Sequence, residues 1–263
     1  MRYILKKIKR TIQKIEDSEK RRRIESIDWT KTILIYQPGK VASSTITNEL
    51  KRAHPGPVIH MHTLNDDQNI DDVKRAFSRL HELKALPRIK IITLIREPIG
   101  RNLSAFFQNL HKFNQIKFDG VPFSKEELWD LYMRSEKASF ILNWFDLELF
   151  KNFGIDAYSK PFPECGFITL ENDKAEVLII KHSLHDDEKS RLVAEFTGIS
   201  NFAIEHQKNS SSQKWYATDL DRWKKNGFPK WYVRKMLGAK YAQHFYNKDL
   251  VNLSKRWTMR EKR

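Results

Sequence analysis

Cysteine is nearly absent from these 263 residues, and the one present, Cys165, excludes a disulfide framework and any zinc site built from cysteines. Long hydrophobic runs are missing as well. A membrane-spanning helix needs about 18 or more consecutive apolar residues, and no stretch of this chain approaches that. The first residues also lack the roughly 7–15-residue apolar core of a secretory signal. Together these absences predict a soluble, cytoplasmic protein in a reducing compartment. There is no internal repeat and no low-complexity tract. What the chain does have is apolar volume: 40% hydrophobic and 12% aromatic residues, including 16 Phe, 8 Tyr and 7 Trp. That is enough for a real core and excludes global disorder. The length accommodates one large domain, or one domain plus an appendage.

Positive charge is the other excess, at +15 overall, and it sits at the ends. Residues 1–24 carry ten Lys/Arg against three acids, a net of +7. Residues 222–263 carry thirteen against two, a net of +11, which leaves 25–221 at −3. Basic ends suit an anionic partner, whether glycan, membrane surface or nucleic acid, and charge alone does not choose among them. Within the first segment Ile4, Ile8, Ile12 and Ile15 fall on one helical face. Residues 1–28 therefore read as a basic amphipathic helix ahead of a domain spanning 29–263. That helix either packs on the body or on a second copy, or lies peripherally on a membrane surface through residues 1–24.

The body alternates between two periods. Thr32–Tyr36, Val58–Met61 and Ile89–Ile95 are short apolar runs of the kind buried on both faces of a parallel sheet. Between them lie helical patterns, one from Ser44 with Ile46 and Leu50, another carrying Ile70, Val73, Phe77, Leu80 and Leu83. Pro98 opens a third, with Ile99, Leu103, Phe106, Phe107 and Leu110 on its buried side. Strand and helix alternating over about 80 residues imply a right-handed parallel α/β sheet. After a polar loop (112–123), Ser124 caps a helix, and 140–150 gives another, ended by Gly154. Late strands are expected at 166–170 and 177–180, a helix over 186–198, and a helical C-terminal region from 214, broken at Gly227-Phe228-Pro229 and at Gly238.

Two loops at strand ends carry anion-binding chemistry. Gln37-Pro38-Gly39-Lys40-Val41-Ala42-Ser43-Ser44-Thr45 joins the first strand to its helix. A Gly-opened turn there presents backbone N–H groups at a helix N-terminus, where the dipole favours an anion. Lys40 adds a full charge, and Ser43, Ser44 and Thr45 add hydroxyl donors. The loop is not a Walker A sequence, since its Lys enters early and the hydroxyls follow three to five residues later. The second loop is Arg96-Glu97-Pro98-Ile99-Gly100-Arg101-Asn102-Leu103-Ser104, at the carboxyl end of the strongest strand. In open parallel sheets ligands bind at that edge. Arg96 from the strand and Ser104 from the helix can converge on one anion.

With those residues in place, the chain resembles the sulfotransferases that use 3′-phosphoadenosine 5′-phosphosulfate (PAPS). In that superfamily a Lys-containing loop after the first strand binds the phosphosulfate. An Arg, with a Ser eight residues later, binds the 3′-phosphate, and Arg96 and Ser104 keep that spacing. The resemblance is closest to capsular polysaccharide synthesis proteins whose signature reads Asn-Lys-Trp-Tyr-Ser. Here it stands as Gln213-Lys214-Trp215-Tyr216-Ala217, altered at both ends. Gly154-Ile155-Asp156 and His244-Phe245-Tyr246 are similar to the same family, and the likeness covers about residues 30–260.

The resemblance implies a P-loop-like parallel β-sheet flanked by helices, with PAPS as co-substrate and no metal. PAPS would be held by Gly39, Lys40, Val41, Ala42, Ser43, Ser44, Thr45, Arg96, Ser104 and Lys214. It also gives a role to His60-Met61-His62, which is similar to a stretch of glycan 2-O-sulfotransferases that holds their catalytic base. Alternation puts both histidines on one strand face, with His62 further out towards the site. His62 is thus the expected base, drawing the proton from an acceptor hydroxyl, and His60 its neighbour. Lys40 would stabilise charge on the departing phosphate. The expected acceptor is a carbohydrate, one of acidic character fitting the basic tail; nucleic acid is not the expected partner. Two rivals stand beside this reading: a small-metabolite kinase, needing Glu97 or Asp66 for magnesium, and a nucleic-acid binder using the basic ends.

Overall fold

A single sheet of five strands is framed by helices on both faces in the computed structural model, which describes residues 22, 24–64, 72–113, 124–134, 139–205 and 216–259 (side chains of 72, 111–113 and 125 excepted). The strands are β1 (Ile33–Tyr36), β2 (Val58–Met61), β3 (Ile89–Ile95), β4 (Phe167–Glu171) and β5 (Ala175–Lys181), in the spatial order β2-β1-β3-β5-β4. The pairs β1–β2, β1–β3 and β3–β5 are parallel, with Leu34 opposite both Ile59 and Ile91. The α/β layering expected from sequence is therefore present, with one correction: β4 runs antiparallel to β5. The reason is the connection, which is too short to cross over. Asn172 turns the chain there, its Oδ1 accepting from the N–H groups of Lys174 (2.9 Å) and Ala175 (3.0 Å).

Both faces of the sheet are covered, which is why the strands read as unbroken apolar runs. Along β1, Leu34 and Tyr36 face the larger core while Ile33 and Ile35 face the smaller one; along β3, Ile91 and Ile95 oppose Ile92 and Leu94 in the same way. The smaller core is closed by α1 (Ser43–Ala53), through Ile46 and Leu50, and by α7 (Asp186–Thr197), through Leu192, Val193 and Phe196. The larger core gathers α2 (Asp72–Glu82), α3 (Pro98–Phe113) and α4 (Lys125–Arg134). It continues with α5 (Phe140–Trp144), a π-helical segment (Phe145–Phe150) and α6 (Lys151–Phe153). As expected, Ser124 caps α4: its Oγ accepts from Glu127 N–H while the Glu127 carboxylate accepts from Ser124 N–H. Gly154 ends α6 at a left-handed φ of 72°. The π segment lies in what the sequence pattern marks as an uninterrupted helix. It aims Glu148 at the Tyr36 hydroxyl, and Trp144, just ahead of it, donates its indole N–H to the His62 carbonyl (2.7 Å).

The C-terminal helices α8 (Ala217–Asn226), α9 (Lys230–Leu237), α10 (Lys240–Phe245) and α11 (Leu250–Trp257) belong to this same core, which buries Trp223, Phe228, Tyr232, Tyr241, Phe245 and Trp257. The strand-like crossing of residues 228 and 258 holds α11 down, with Phe228 N–H on the Trp257 carbonyl (2.6 Å) and Met259 N–H on the Phe228 carbonyl (2.9 Å). Gly227, at φ 72°, permits that approach: a Cβ there would sit 2.7 Å from the Trp257 carbonyl oxygen. The packed body takes in Ile24 and Ile27 as well, ahead of residue 29 where the domain was expected to begin. The apolar stripe Ile4, Ile8, Ile12 and Ile15 lies outside the described residues. Among the described residues, no helix is long and apolar enough to cross a membrane.

Candidate functional site

β1 has β2 on one side and β3 on the other, so the connections leaving β1 and β2 run in opposite directions across the sheet. A crevice opens at the carboxyl ends of β1 and β3, the switch point where open α/β sheets bind ligands. Both sequence-predicted loops end there. They wall a cavity of about 420 Å³ together with the end of β5 and helices α8 and α11.

The β1–α1 loop is held in an unusual shape. Gly39 (φ 70°), Lys40 (φ 60°) and Ala42 (φ 63°) all adopt left-handed backbone, a strained choice for Lys and Ala. Three surroundings hold it. Arg101, buried on α3, donates Nε–H to the Gly39 carbonyl (3.1 Å) and Nη2–H to the Pro38 carbonyl, and its third bond goes to Asn102 Oδ1 (3.1 Å). Arg96 donates Nη1–H to the Lys40 carbonyl (3.2 Å), and its own carbonyl accepts the Tyr241 hydroxyl (2.9 Å). Val41 is fully buried in the smaller core and pins the loop from beneath. Ala42 precedes α1 without a side-chain cap, so the first N–H groups of α1 open onto the cavity side of the loop. Successive N–H groups in left-handed and helical backbone form a concavity for an anion.

The charge of the cavity is one-sided. Lys40, Arg96, Lys224 and Arg256 line it, and no Asp or Glu does among the described residues. Burial lowers the pKa of Arg96, but a guanidinium remains charged at neutral pH. Trp257 also lines the cavity, with its buried indole N–H making no hydrogen bond inside the protein. Glu97, a magnesium candidate from sequence, is turned away and buried. Its two oxygens accept from Ile99 N–H (3.0 Å) and Gly100 N–H (2.9 Å), capping α3, and burial raises its pKa. Asp66 lies outside the described residues. Among those described, no group of three or more His, Cys, Asp or Glu side chains could hold a metal.

The two histidines meet edge to face at 5.0 Å, with His62 exposed and His60 half-buried, as strand alternation leads one to expect. Gln37 orients both, a role the sequence does not announce. Its Oε1 accepts from the buried Leu94 N–H (3.3 Å), which turns its amide nitrogen towards His60 Nε2 (3.2 Å). A donor at that ring nitrogen requires it to carry the lone pair, so the His60 proton sits on Nδ1. Ser43 Oγ is also 3.2 Å from Nε2. Burial, then the charges of His62, Lys74 and Lys51, push the His60 pKa down to about 3, so the ring is neutral. His62 has the same tautomer for a different reason: its Nδ1 faces the Gln37 carbonyl at 3.0 Å, and a carbonyl only accepts. The proton is thus on Nδ1 and the lone pair on Nε2, which lies over Gly39, 3.2 Å from where a Cβ would stand.

Of the residues expected from sequence, the cavity brings together Lys40, Ala42, Ser43, Ser44, Thr45, His60, His62, Arg96 and Ser104. Gly39 and Val41 shape the loop from outside the cavity wall, and Lys214, with Trp215, lies outside the described residues. Tyr216 stacks on Phe107 in the core (5.9 Å, 29°) and also lines the cavity. Further participants were not singled out by the sequence, among them Gln37, Arg101, His182, Lys224, Arg256 and Trp257. His182 follows β5, donates its backbone N–H to Ile95 (2.7 Å), and has its pKa driven to about 4, first by burial and then by Arg96. Only the sheet order puts the end of β5 beside the ends of β1 and β3.

A family model described as "NKWYS: Putative capsular polysaccharide synthesis protein" matches residues 127–247, from α4 to just beyond α10. The match thus takes in Tyr216 and Lys224 of the cavity, while both strand-end loops precede it. No curated protein and no solved structure matches the chain.

Proposed function

We propose that this protein is a PAPS-dependent sulfotransferase of polysaccharide synthesis, moving a sulfuryl group onto a carbohydrate hydroxyl. The observation that carries the reading is the cavity at the sheet switch point, lined among the described residues by four cations and no carboxylate, at the mouth of a strained N–H-rich loop. Such a lining suits a ligand with several dispersed negative charges. PAPS carries two such centres, a 5′-phosphosulfate and a 3′-phosphate, and about 420 Å³ falls within the usual size of small-molecule sites. The uncapped N-terminus of α1 with Ser43, Ser44, Thr45 and Lys40 suits the first; Arg96 and Ser104 suit the second. The polysaccharide context rests on the family description.

In this reading an acceptor hydroxyl attacks sulfur in line. Its oxygen forms the new S–O bond as the bridging S–O bond to the 5′-phosphate breaks, and its proton passes to Nε2 of His62. The products are a sulfate ester and adenosine 3′,5′-bisphosphate. The Nδ1–H bond to the Gln37 carbonyl keeps the His62 lone pair on Nε2 and steadies the imidazolium that forms. Lys40, whose Nζ donates to Gln108 on α3, is set at the loop to stabilise charge on the leaving phosphate oxygen. Neutral His60 adds no charge of its own to the acceptor side.

The test is a pair of titrations. Adenosine 3′,5′-bisphosphate should bind more tightly than adenosine 5′-monophosphate, because the extra phosphate gains Arg96 and Ser104. Arg96→Ala should erase that preference. Equal affinity of the native protein for the two nucleotides would overturn the assignment.

A further inference from the structure

A second cavity adjoins the first and is larger, about 1040 Å³, at the top of the usual range for small-molecule sites. It runs along the β2 edge of the sheet, between α1, the start of α2 and the 26–31 segment. The two cavities share His60 and Ser44, so the ring that borders the nucleotide cavity also borders this cleft. β2 is the edge strand of the sheet, paired with β1 alone among the described strands.

Its lining differs in chemistry from that of the nucleotide cavity. Cations stand on three separate elements: Lys31 before β1, Lys51 in the last turn of α1 and Lys74 in the first turn of α2. Among the described residues one carboxylate lines it, Asp28, and that is engaged locally by Thr30 and by Lys31 at 3.5 Å. Between the cations lie the hydroxyl of Ser26 and the amide of Asn48. Among the described residues no Phe, Tyr or Trp lines the cleft. The positive field reaches the shared wall, since Lys74 and Lys51 both disfavour charge on His60.

We infer that this cleft is the acceptor subsite and that it takes an acidic polysaccharide, whose anionic groups meet Lys51 and Lys74 while a hydroxyl passes the shared wall at His60 to reach the neighbouring His62. Spaced cations with polar groups between them match a chain that alternates charge and hydroxyls. Single-stranded nucleic acid is the other polyanion to consider, but its recognition leans on aromatic stacking that this lining lacks. The inference rests on the sulfotransferase reading for the role of the cleft, and it is tested by binding alone.

The probes are a polygalacturonate oligosaccharide, a neutral dextran oligosaccharide of equal length and a single-stranded oligonucleotide, each titrated beside adenosine 3′,5′-bisphosphate. The polygalacturonate should bind and the dextran should not. In Lys51→Gln/Lys74→Gln its affinity should fall about 5- to 30-fold, the combined effect of two solvent-exposed ion pairs, and bisphosphate affinity should hold. A Lys160→Gln/Lys174→Gln protein, with the same charge removed from exposed positions outside both cavities and outside the basic tail, should bind both ligands like the native protein. An equal loss in both double variants would overturn the cleft, because general charge would then explain the binding. So would absence of polygalacturonate binding, or an oligonucleotide that binds as well and loses as much in Lys51→Gln/Lys74→Gln. Bisphosphate that fails to bind, with the polygalacturonate behaving as expected, would instead overturn the sulfotransferase reading and leave the cleft standing.

Discussion

Acid should destabilise this protein through His60 by an amount that the geometry fixes. The buried ring accepts from Gln37 on Nε2, and its pKa falls to about 3 from the usual 6.5. Folded, the imidazole stays neutral; unfolded, it takes a proton below about 6.5. The folded state is therefore favoured fully above pH 6.5, and its advantage is lost progressively as pH falls towards 3. At pH 5 the unfolded chain has gained 1.5 pH units of proton binding that the fold refuses, at about 1.4 kcal/mol per unit, or about 2 kcal/mol. His182, lowered to about 4, acts in the same direction, as do His81 and His244, so the native protein alone cannot isolate one ring. His60→Gln can: its amide oxygen keeps an acceptor for Gln37 but does not titrate. Urea unfolding at pH 7.5 and pH 5.0 should show the native protein losing about 2 kcal/mol more than His60→Gln. Losses that agree within about 0.5 kcal/mol would refute the buried, neutral His60 and the Gln37 orientation behind it.

Arg101→Met should cost about 3 kcal/mol in denaturant unfolding, the low end for two charge-assisted bonds to the Gly39 and Pro38 carbonyls, because Met also removes the desolvation cost of a buried guanidinium. It should also weaken adenosine 3′,5′-bisphosphate binding, since the left-handed backbone at Lys40 and Ala42 relaxes once those carbonyls are released; unchanged affinity would show that the loop holds its own shape. In a sulfate-transfer assay Lys40→Ala should lower turnover about 10²–10³-fold. His62→Ala should lower it about 10²–10⁴-fold with nucleotide affinity kept. Full activity in His62→Ala would move the base elsewhere.

Local rules carried much of the fold. Short unbroken apolar runs mark β1 and β3 because both faces of the sheet are covered. Pro98, Ser124, Gly154 and Gly198 mark helix ends because their backbone or capping chemistry acts within one turn. The antiparallel β4 escaped because strand direction depends on the length of a connection, and the 145–150 π segment because its hydrogen bonds shift without any change of pattern.

By itself the sequence singled out three short stretches as candidates, the Lys40 loop, the Arg96–Ser104 spacing and the two histidines at one strand end, and residues of all three line one cavity. These signals are local, and residue type and spacing suffice for them. Only the tertiary structure decided what surrounds them. Sheet order brought His182 beside Arg96, and the crossing of residues 228 and 258 delivered Arg256 and Trp257 to the same cavity. Arg101 turned inward to hold a loop more than sixty residues earlier, and the Leu94 N–H turned Gln37 so that one histidine is fixed by its side chain and the other by its carbonyl. Such roles arise from contacts between residues far apart in the chain, and an Arg or Gln in the sequence looks the same whether it meets solvent or a buried carbonyl.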